Sequence, residues 1–255
     1  MAELVDALVS NTNGCKSLSV RSRLWVLNRT IQVLRLKPGD SITLFDGTGG
    51  EFCGRLEQIS KSGCRVRIEH HLPIERESPL MIELAQAVCI NEKMDWIIQK
   101  AVEQGVARVQ PLITRRTLVR LTAERADKRE RHWQKIIIAA CEQCGRNTIP
   151  QLLPLVPLSQ WLEQKLAEKY KHDNLSGHNI ILSPAAHQRL AELLPPQTGE
   201  YLTLLTGPEG GFTGEETDAA HLAGFIPVRL GSRILRTESA ALAAIAAAQT
   251  LWGDY

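Results

Sequence analysis

The sequence has no uninterrupted apolar stretch of the ~18 residues that cross a bilayer as a helix, so no membrane-spanning helix is expected. Its opening, Met1-Ala-Glu-Leu-Val-Asp6, lacks the basic and apolar regions of a signal peptide. Six cysteines in 255 residues, without a secretory start, read as reduced thiols of a cytoplasmic protein. The net charge is only +2, so any polyanion-binding signal must be local. No G-x-G-x-x-G follows a strand pattern and no Lys-Ser/Thr follows a glycine loop, which argues against a dinucleotide fingerprint and a P-loop. The CxxC at Cys141 and Cys144 has no second pair at ligand spacing. Cys53 and Cys64 lie far away in a β context, and His70-His71 fits no ligand pattern, so no metal is expected. A redox CxxC opens a helix after a strand, whereas this one sits near a helix end.

What the sequence does contain is a paired strand–loop–helix pattern in residues 204–249. Tyr201-Leu-Thr-Leu-Leu205 has strand length, and Thr206-Gly-Pro-Glu-Gly-Gly211 follows as a glycine loop. Thr213 and Glu216 then have the T-x-x-E spacing of a capping box. Pro227-Val-Arg-Leu230 reads as a second strand, Gly231-Ser-Arg-Ile-Leu-Arg236 as a second loop, and residues 237–252 as a long Ala-rich helix. In an open α/β sheet, small ligands bind at the edge where such loops emerge. Glycines let backbone approach a ligand closely and leave N–H and C=O groups bare, while Pro208 fixes the path. Such a loop suits the edge of a planar heterocycle; a tight turn with no ligand is the plainer reading. The second loop places Arg236 and Glu238 at a helix N-terminus, where a cation is misplaced unless it meets an anion. Arg236 therefore reads as a clamp for an anionic substrate or structural group.

The amino-terminal part is β-like. Ser41-Ile-Thr-Leu-Phe45 alternates before the hairpin dipeptide Asp46-Gly47, and Glu51-Phe-Cys-Gly-Arg-Leu56 can return as its partner. Cys64-Arg-Val-Arg-Ile-Glu69 alternates again, with Val66 and Ile68 on one face and Arg65 and Arg67 on the other. Short strands at this spacing suggest a small barrel. Residues 16–77 hold eleven Lys/Arg against seven Asp/Glu, which fits a polynucleotide-facing surface or an ordinary solvated face. A boundary falls near residues 73–79. Beyond it, strand and helix patterns alternate, the mark of a sheet covered by helices. Leu80-Met-Ile-Glu-Leu-Ala85 is a strand candidate. Met94, Ile97, Ile98, Ala101 and Val102 share one helix face, closed by Gly105 before a strand at residues 106–113. Residues 158–170 form an amphipathic helix pattern, and Asn179-Ile-Ile-Leu-Ser183 a short strand. Residues 108–135 carry nine Lys/Arg against three Asp/Glu. Arg115, Arg116 and Arg120 precede a predicted helix, and Lys128, Arg129, Arg131 and Lys135 lie on it. Clustered cations bind phosphate backbones through counterion release; a solvated helix face is the alternative.

The segments Thr206-Gly-Pro-Glu-Gly-Gly-Phe212 and Leu230-Gly-Ser-Arg-Ile-Leu-Arg-Thr-Glu-Ser-Ala240 resemble the two signature loops of the bacterial 16S ribosomal RNA uridine N3-methyltransferases, of the SPOUT class. Val33-Leu-Arg-Leu-Lys-Pro-Gly-Asp40 and Phe45-Asp-Gly47 resemble their PUA-like RNA-binding barrel. Residues 91–106 resemble the stretch from a Lys-Met pair to Glu-Leu-Gly-Val, with Gln104 in place of the leucine. Ala140-Cys-Glu-Gln-Cys-Gly-Arg146 is similar to a further motif, and Ser183-Pro184 matches a proline-flanked small residue. The resemblance spans roughly residues 30–252 and is poor over residues 1–20. It implies a PUA-like β-barrel over residues 1–74 and, over residues 75–255, an α/β SPOUT domain with a parallel sheet and a carboxyl-terminal trefoil knot. It implies S-adenosylmethionine as cofactor and N3 of a uridine in 16S rRNA as acceptor, within a small-subunit particle. It also implies a homodimer, for which the apolar helix at residues 240–251 is a plausible interface and a buried core helix the alternative.

On this resemblance the cofactor residues are Leu205, Thr206, Gly207, Pro208, Glu209, Gly210, Gly211, Leu230, Gly231, Ile234, Leu235, Arg236 and Thr237. Main-chain groups are expected to hold the adenosine, with Glu209 fixing the loop or approaching the cofactor's cationic end. Candidate RNA contacts are Arg35, Arg115, Arg116, Arg120, Gln143 and Arg146. The chemistry follows from residue types. A uridine imide N–H is a poor nucleophile, so the site removes its proton or stabilises the anion. Arg236 is expected to stabilise charge on a carbonyl oxygen or clamp a phosphate, and Glu238 or Glu142 to take the proton. An RNA-binding adaptor without methyl transfer, or a nucleotide-dependent α/β enzyme using the glycine loop, are the rival readings. Cofactor binding separates both from the first.

Overall fold

The computed structural model describes residues 35–60, 63–90, 92–118, 123–171 and 178–255. Arg120 and the turn expected at residues 11–14 lie outside the described residues. Two compact units emerge: residues to Glu77 with Ile137–Ile149, and Ser78–Ile136 with Pro150–Tyr255.

In the first unit, β1 (Ser41–Leu44), β2 (Glu51–Ser60) and β3 (Gly63–Leu72) form an antiparallel sheet in the order β1-β2-β3. Ile42, Leu44, Leu56 and Leu36 build its core, with Val66 packed against them. Alternation puts these side chains on one face because successive residues of a strand point to opposite sides. The expected partner of Val66, Ile68, is 43% exposed. Asp46-Gly47 does not make a two-residue hairpin turn. Residues 45–50 form a longer connection, with Asp46 Oδ1 accepting from the N–H and O–H of Thr48 and Gly47, Gly49 and Gly50 all at positive φ. An Asp side chain that mimics a backbone turn favours such a wider loop. On the exposed face Arg55 pairs with Glu69 at 3.0 Å and Arg67 with Glu57 at 3.5 Å. Part of that basic face is thus balanced by its own carboxylates.

The second unit contains strands β4 (Met81–Ala87), β5 (Val106–Ile113), β6 (Gln151–Leu152), β7 (Val156–Pro157), β8 (His178–Leu182), β9 (Tyr201–Thr206) and β10 (Ile226–Val228). They form a parallel sheet in the order β10-β8-β9-β4-β5-β6, with β7 also pairing β5. Helices α1 (Glu92–Glu103), α2 (Ala123–Cys144), α3 (Leu158–Lys171), α4 (Gly214–Leu222) and α5 (Thr237–Trp252) follow them. The expected face of α1 is the observed one: Met94, Ile97, Ile98, Ala101 and Val102 are all buried. Gly105 closes that helix at φ +84°. Ala85, Leu112, Leu205, Trp161, Leu162 and Phe225 form a core joining the sheet to α3 and α4.

One strand of this unit differs from the sequence reading. The second strand of the paired pattern ends at Val228, not at residue 230, because the Arg229 N–H turns aside to the Gln188 carbonyl at 2.9 Å. Helix α5 buries Ala241, Ala244, Ile245 and Ala248 within its own unit and packs on α1, so much of its apolar character is met internally. Among the described residues, no helix is long and apolar enough to cross a membrane.

Candidate active site

Four neighbouring strands, β10, β8, β9 and β4, are parallel, so the segments that follow them leave from one edge of the sheet. Those segments enclose a cleft of about 630 Å³, within the range of small-molecule sites. Lys93 enters from the segment after β4, Ser183 and Pro184 from that after β8, residues 206–209, 211 and 212 from the end of β9 and its loop, and residues 230, 231 and 233–237 from the segment after β10. The paired pattern of the sequence thus converges in space. Of the predicted cofactor residues, Thr206, Gly207, Pro208, Glu209, Gly211, Leu230, Gly231, Ile234, Leu235, Arg236 and Thr237 line the cleft. Leu205 and Gly210 do not. Leu205 is wholly buried in the core, and Gly210 lies against the Arg116 side chain.

The glycine loop turns tightly, with the Gly211 N–H bonded to the Pro208 carbonyl at 2.9 Å and Gly211 at φ +67°. A Cβ on Gly207 would meet the Phe212 ring at 3.2 Å, so a side chain there would press the ring back by a few tenths of an ångström. The capping box is present. Glu216 Nα–H donates to Thr213 Oγ1 at 3.2 Å, and the Thr213 N–H donates to Glu216 Oε2 at 2.8 Å.

The two loops are tied together from behind. Thr237 Oγ1 donates to the Gly207 carbonyl at 2.5 Å, and Gln86 Nε2, on a fully buried side chain, donates to Thr237 Oγ1 at 3.2 Å. Beside them the Cys89 thiol is pushed up to about 12, by burial first and by the Glu209 charge second. It is a neutral packing group and no proton acceptor at neutral pH.

Arg236 caps α5 from an extended backbone (φ −66°, ψ 155°) with no side-chain cap bond, and it lines the cleft. Among the described residues it forms no ion pair. Arg116, an expected RNA contact, donates from Nη1 to the Gly210 and Phe212 carbonyls at 2.8 and 3.2 Å, bracing the glycine loop. Arg115 pairs with Glu215, and its N–H donates to Glu216 Oε1 at 2.8 Å.

Glu238 is not among the lining residues. Its Oε2 is buried, has no hydrogen-bond partner among the described residues, and lies 3.8 Å from Lys93 Nζ. Lys93 also reaches Glu209 Oε1 at 3.4 Å. The sequence reading passed over Lys93, although a cation in the first turn of α1 carries the same electrostatic signal that marked Arg236. Phe212, Thr217, Val228 and Arg233 also line the cleft without having been singled out as cofactor residues.

The remaining expected residues belong to the first unit. Arg35 is exposed, at φ +52°. Glu142 is half-buried and Gln143 exposed near the end of α2. Arg146 is 5% exposed, and its guanidinium is bound by Glu77, with Nε 2.9 Å from Oε1. Its charge is met by that carboxylate. Burial pushes the Cys141 thiol up to about 12, an inert packing cysteine rather than a nucleophile. In the second unit, Lys128, Arg131 and Lys135 are exposed along α2.

The residues fit a nucleoside-type ligand. Thr206 lines the cleft and is 2% exposed, and its buried Oγ1 lacks a hydrogen-bond partner among the described residues. A buried hydroxyl without a partner is costly unless a ligand or water answers it.

The parallel sheet with its four gathered loops falls within an RNA methyltransferase domain, and the antiparallel strands fall within or beside an RNA methyltransferase PUA domain. The model of the RNA methyltransferase domain matches residues 76–249, and that of the RNA methyltransferase PUA domain matches residues 31–69. The ribosomal RNA small subunit methyltransferase E of Buchnera aphidicola (subsp. Schizaphis graminum) is 36% identical over 223 residues, covering 88% of this chain and 87% of its own. The crystal structure of the Neisseria gonorrhoeae ribosomal RNA small subunit methyltransferase E bound to S-adenosyl methionine is 42% identical, with a TM-score of 0.80 over 89% of this chain and 90% of that one. A Legionella pneumophila protein solved with bound S-adenosylmethionine is 36% identical, with a TM-score of 0.83 over the whole of both chains. The chain belongs to the ribosomal RNA small subunit methyltransferase E family.

Proposed function

We propose that the chain transfers a methyl group from S-adenosylmethionine to N3 of a uridine in 16S rRNA. The observation that carries this is the convergence of the two signature loops on one cleft, tied by the Thr237–Gly207 hydrogen bond. Relatives named ribosomal RNA small subunit methyltransferase E, one of them bound to S-adenosyl methionine, support it.

The cofactor supplies an activated methyl group and its own leaving group, so the protein's part is to bind, orient and exclude water. Backbone groups of residues 206–211 and 230–235 hold the adenosine, with Thr206 Oγ1 as an added polar contact. Leu230, Ile234 and Leu235 supply the apolar wall. Arg236 stabilises the charge that grows on a uracil carbonyl oxygen as the imide proton leaves. Glu238 is the candidate acceptor of that proton within the second unit, and Glu142 the candidate on α2. Arg35, Arg115 and the exposed cations of α2 meet the phosphate backbone. Arg116 braces the glycine loop through Nη1 and, being exposed, turns its remaining donors to the phosphate backbone.

The reading includes the trefoil knot and the homodimer that the family resemblance implies. The parallel order β10-β8-β9-β4, in which a late strand lies outside earlier ones, is compatible with the knot.

The test is methyl transfer from labelled cofactor to small-subunit RNA and to small-subunit particles, with nucleoside mapping. The label is expected in 3-methyluridine at a single position. Label in a different nucleoside contradicts the N3 assignment.

A further inference from the structure

Lys93, Glu209 and Glu238 come from three segments: the start of α1, the glycine loop and the first turn of α5. Lys93 Nζ stands between the two carboxylates, 3.4 Å from Glu209 Oε1 and 3.8 Å from Glu238 Oε2. Lys93 and Glu209 line the cleft, and Glu238 stands beside Lys93 just outside the lining. Glu209 Oε1 also accepts the Ile90 N–H at 3.1 Å, which fixes the carboxylate against the segment after β4. Burial works to raise the Glu209 pKa. The N–H groups of Glu209 itself and of Ile90, with Lys93, outweigh that and hold it below the usual carboxylate range. It is ionised at neutral pH. The three groups together carry one net negative charge at the cleft wall, and the buried Glu238 Oε2 has no hydrogen bond to offset it.

Methyl transfer changes the charge of the bound cofactor. The donor is a sulfonium cation; once the methyl group has gone, the product S-adenosylhomocysteine is an uncharged thioether. A fixed negative charge in a partly desolvated wall attracts the donor and does nothing for the product's sulfur. We propose that Glu209 and Glu238, with Lys93 as the counter-charge that positions both, make the cleft discriminate in favour of the cationic donor over the spent thioether. This rests on the reading that the cleft holds S-adenosylmethionine. Lys93 sets the strength of the selection, because it cancels one of two negative charges and links the loops that carry them.

The sign of each substitution follows. Glu238→Gln removes the net charge, and Glu209→Gln does the same from the loop. Lys93→Met leaves two unopposed negative charges, while Lys93→Arg keeps the balance. A purely structural role would weaken donor and product alike, so the readout is the ratio of their dissociation constants, from titration calorimetry on the full chain. The product-to-donor ratio is expected to fall by about tenfold in Glu238→Gln and in Glu209→Gln, to rise in Lys93→Met, and to stay at the wild-type value in Lys93→Arg. Any other pattern, including parallel loss of both ligands, overturns the selector. If the wild-type chain binds donor and product but the ratio does not move, the selector fails and the cofactor reading stands. If the wild-type chain binds neither, both fail.

Discussion

Arg236→Ala is expected to slow methyl transfer by about 10²–10³-fold, the usual cost of removing one donor aimed at a developing oxyanion, while S-adenosylmethionine affinity stays within a few fold. The reason lies in what the guanidinium does not touch. Arg236 makes no cap bond to α5 and, among the described residues, no ion pair, yet it lines the cleft at a helix N-terminus. Its donors are therefore available to a ligand. Arg116, by contrast, spends Nη1 on the Gly210 and Phe212 carbonyls and does not line the cleft. Loss of the imide proton spreads negative charge over the uracil carbonyl oxygens, and a planar cation with several N–H groups meets such charge better than a point charge does. Arg236→Lys is thus expected to recover only part of the rate. Single-turnover kinetics beside calorimetry separates the chemical step from binding. Turnover within threefold of wild type would remove Arg236 from the chemistry.

Thr237→Val is expected to raise the dissociation constant for S-adenosylmethionine by about tenfold, with a small loss of global stability. The substitution keeps the shape and removes the hydroxyl that joins the Gly207 carbonyl to Gln86. A net hydrogen bond contributes ~0.5–1.5 kcal/mol, and leaving a buried acceptor underbonded costs ~1–3 kcal/mol. The Gly207 carbonyl keeps a long contact with Gln86 Nε2 at 3.4 Å, so the loss is partial. The effect concentrates on the cleft because Thr237 links the two loops that form it. The measurement is calorimetry with the donor alongside thermal melting without it. Unchanged affinity with a lowered melting temperature would show that the hydroxyl serves the fold and not the cleft.

Elements whose determinants are local were legible in the sequence. The buried face of α1 follows from apolar residues at helical spacing, and both glycine turns follow from residues that tolerate close approach or positive φ. The Thr213–Glu216 box is set by four residues and nothing else. Less legible was everything fixed by the order β10-β8-β9-β4, which depends on pairings between distant segments. Nothing in sequence places Arg116 against Gly210, and nothing in sequence pairs Arg146 with Glu77. Nor does it place Glu238 next to Lys93, since α5 and α1 meet only in the folded sheet. Pro227-Val-Arg-Leu230 was extended too far, because the competing partner of Arg229 is Gln188, on a segment with no strand pattern of its own.

The central claim is that the loops after β9 and β10 together form one S-adenosylmethionine site. Titration calorimetry of the full chain with S-adenosylmethionine, paired with thermal melting, tests it most directly. The account predicts one site per chain, lost affinity in Thr237→Val, and stabilisation of about 2.7 kcal/mol at a hundredfold excess over the dissociation constant. No heat of binding and an unmoved melting temperature at millimolar donor would contradict it.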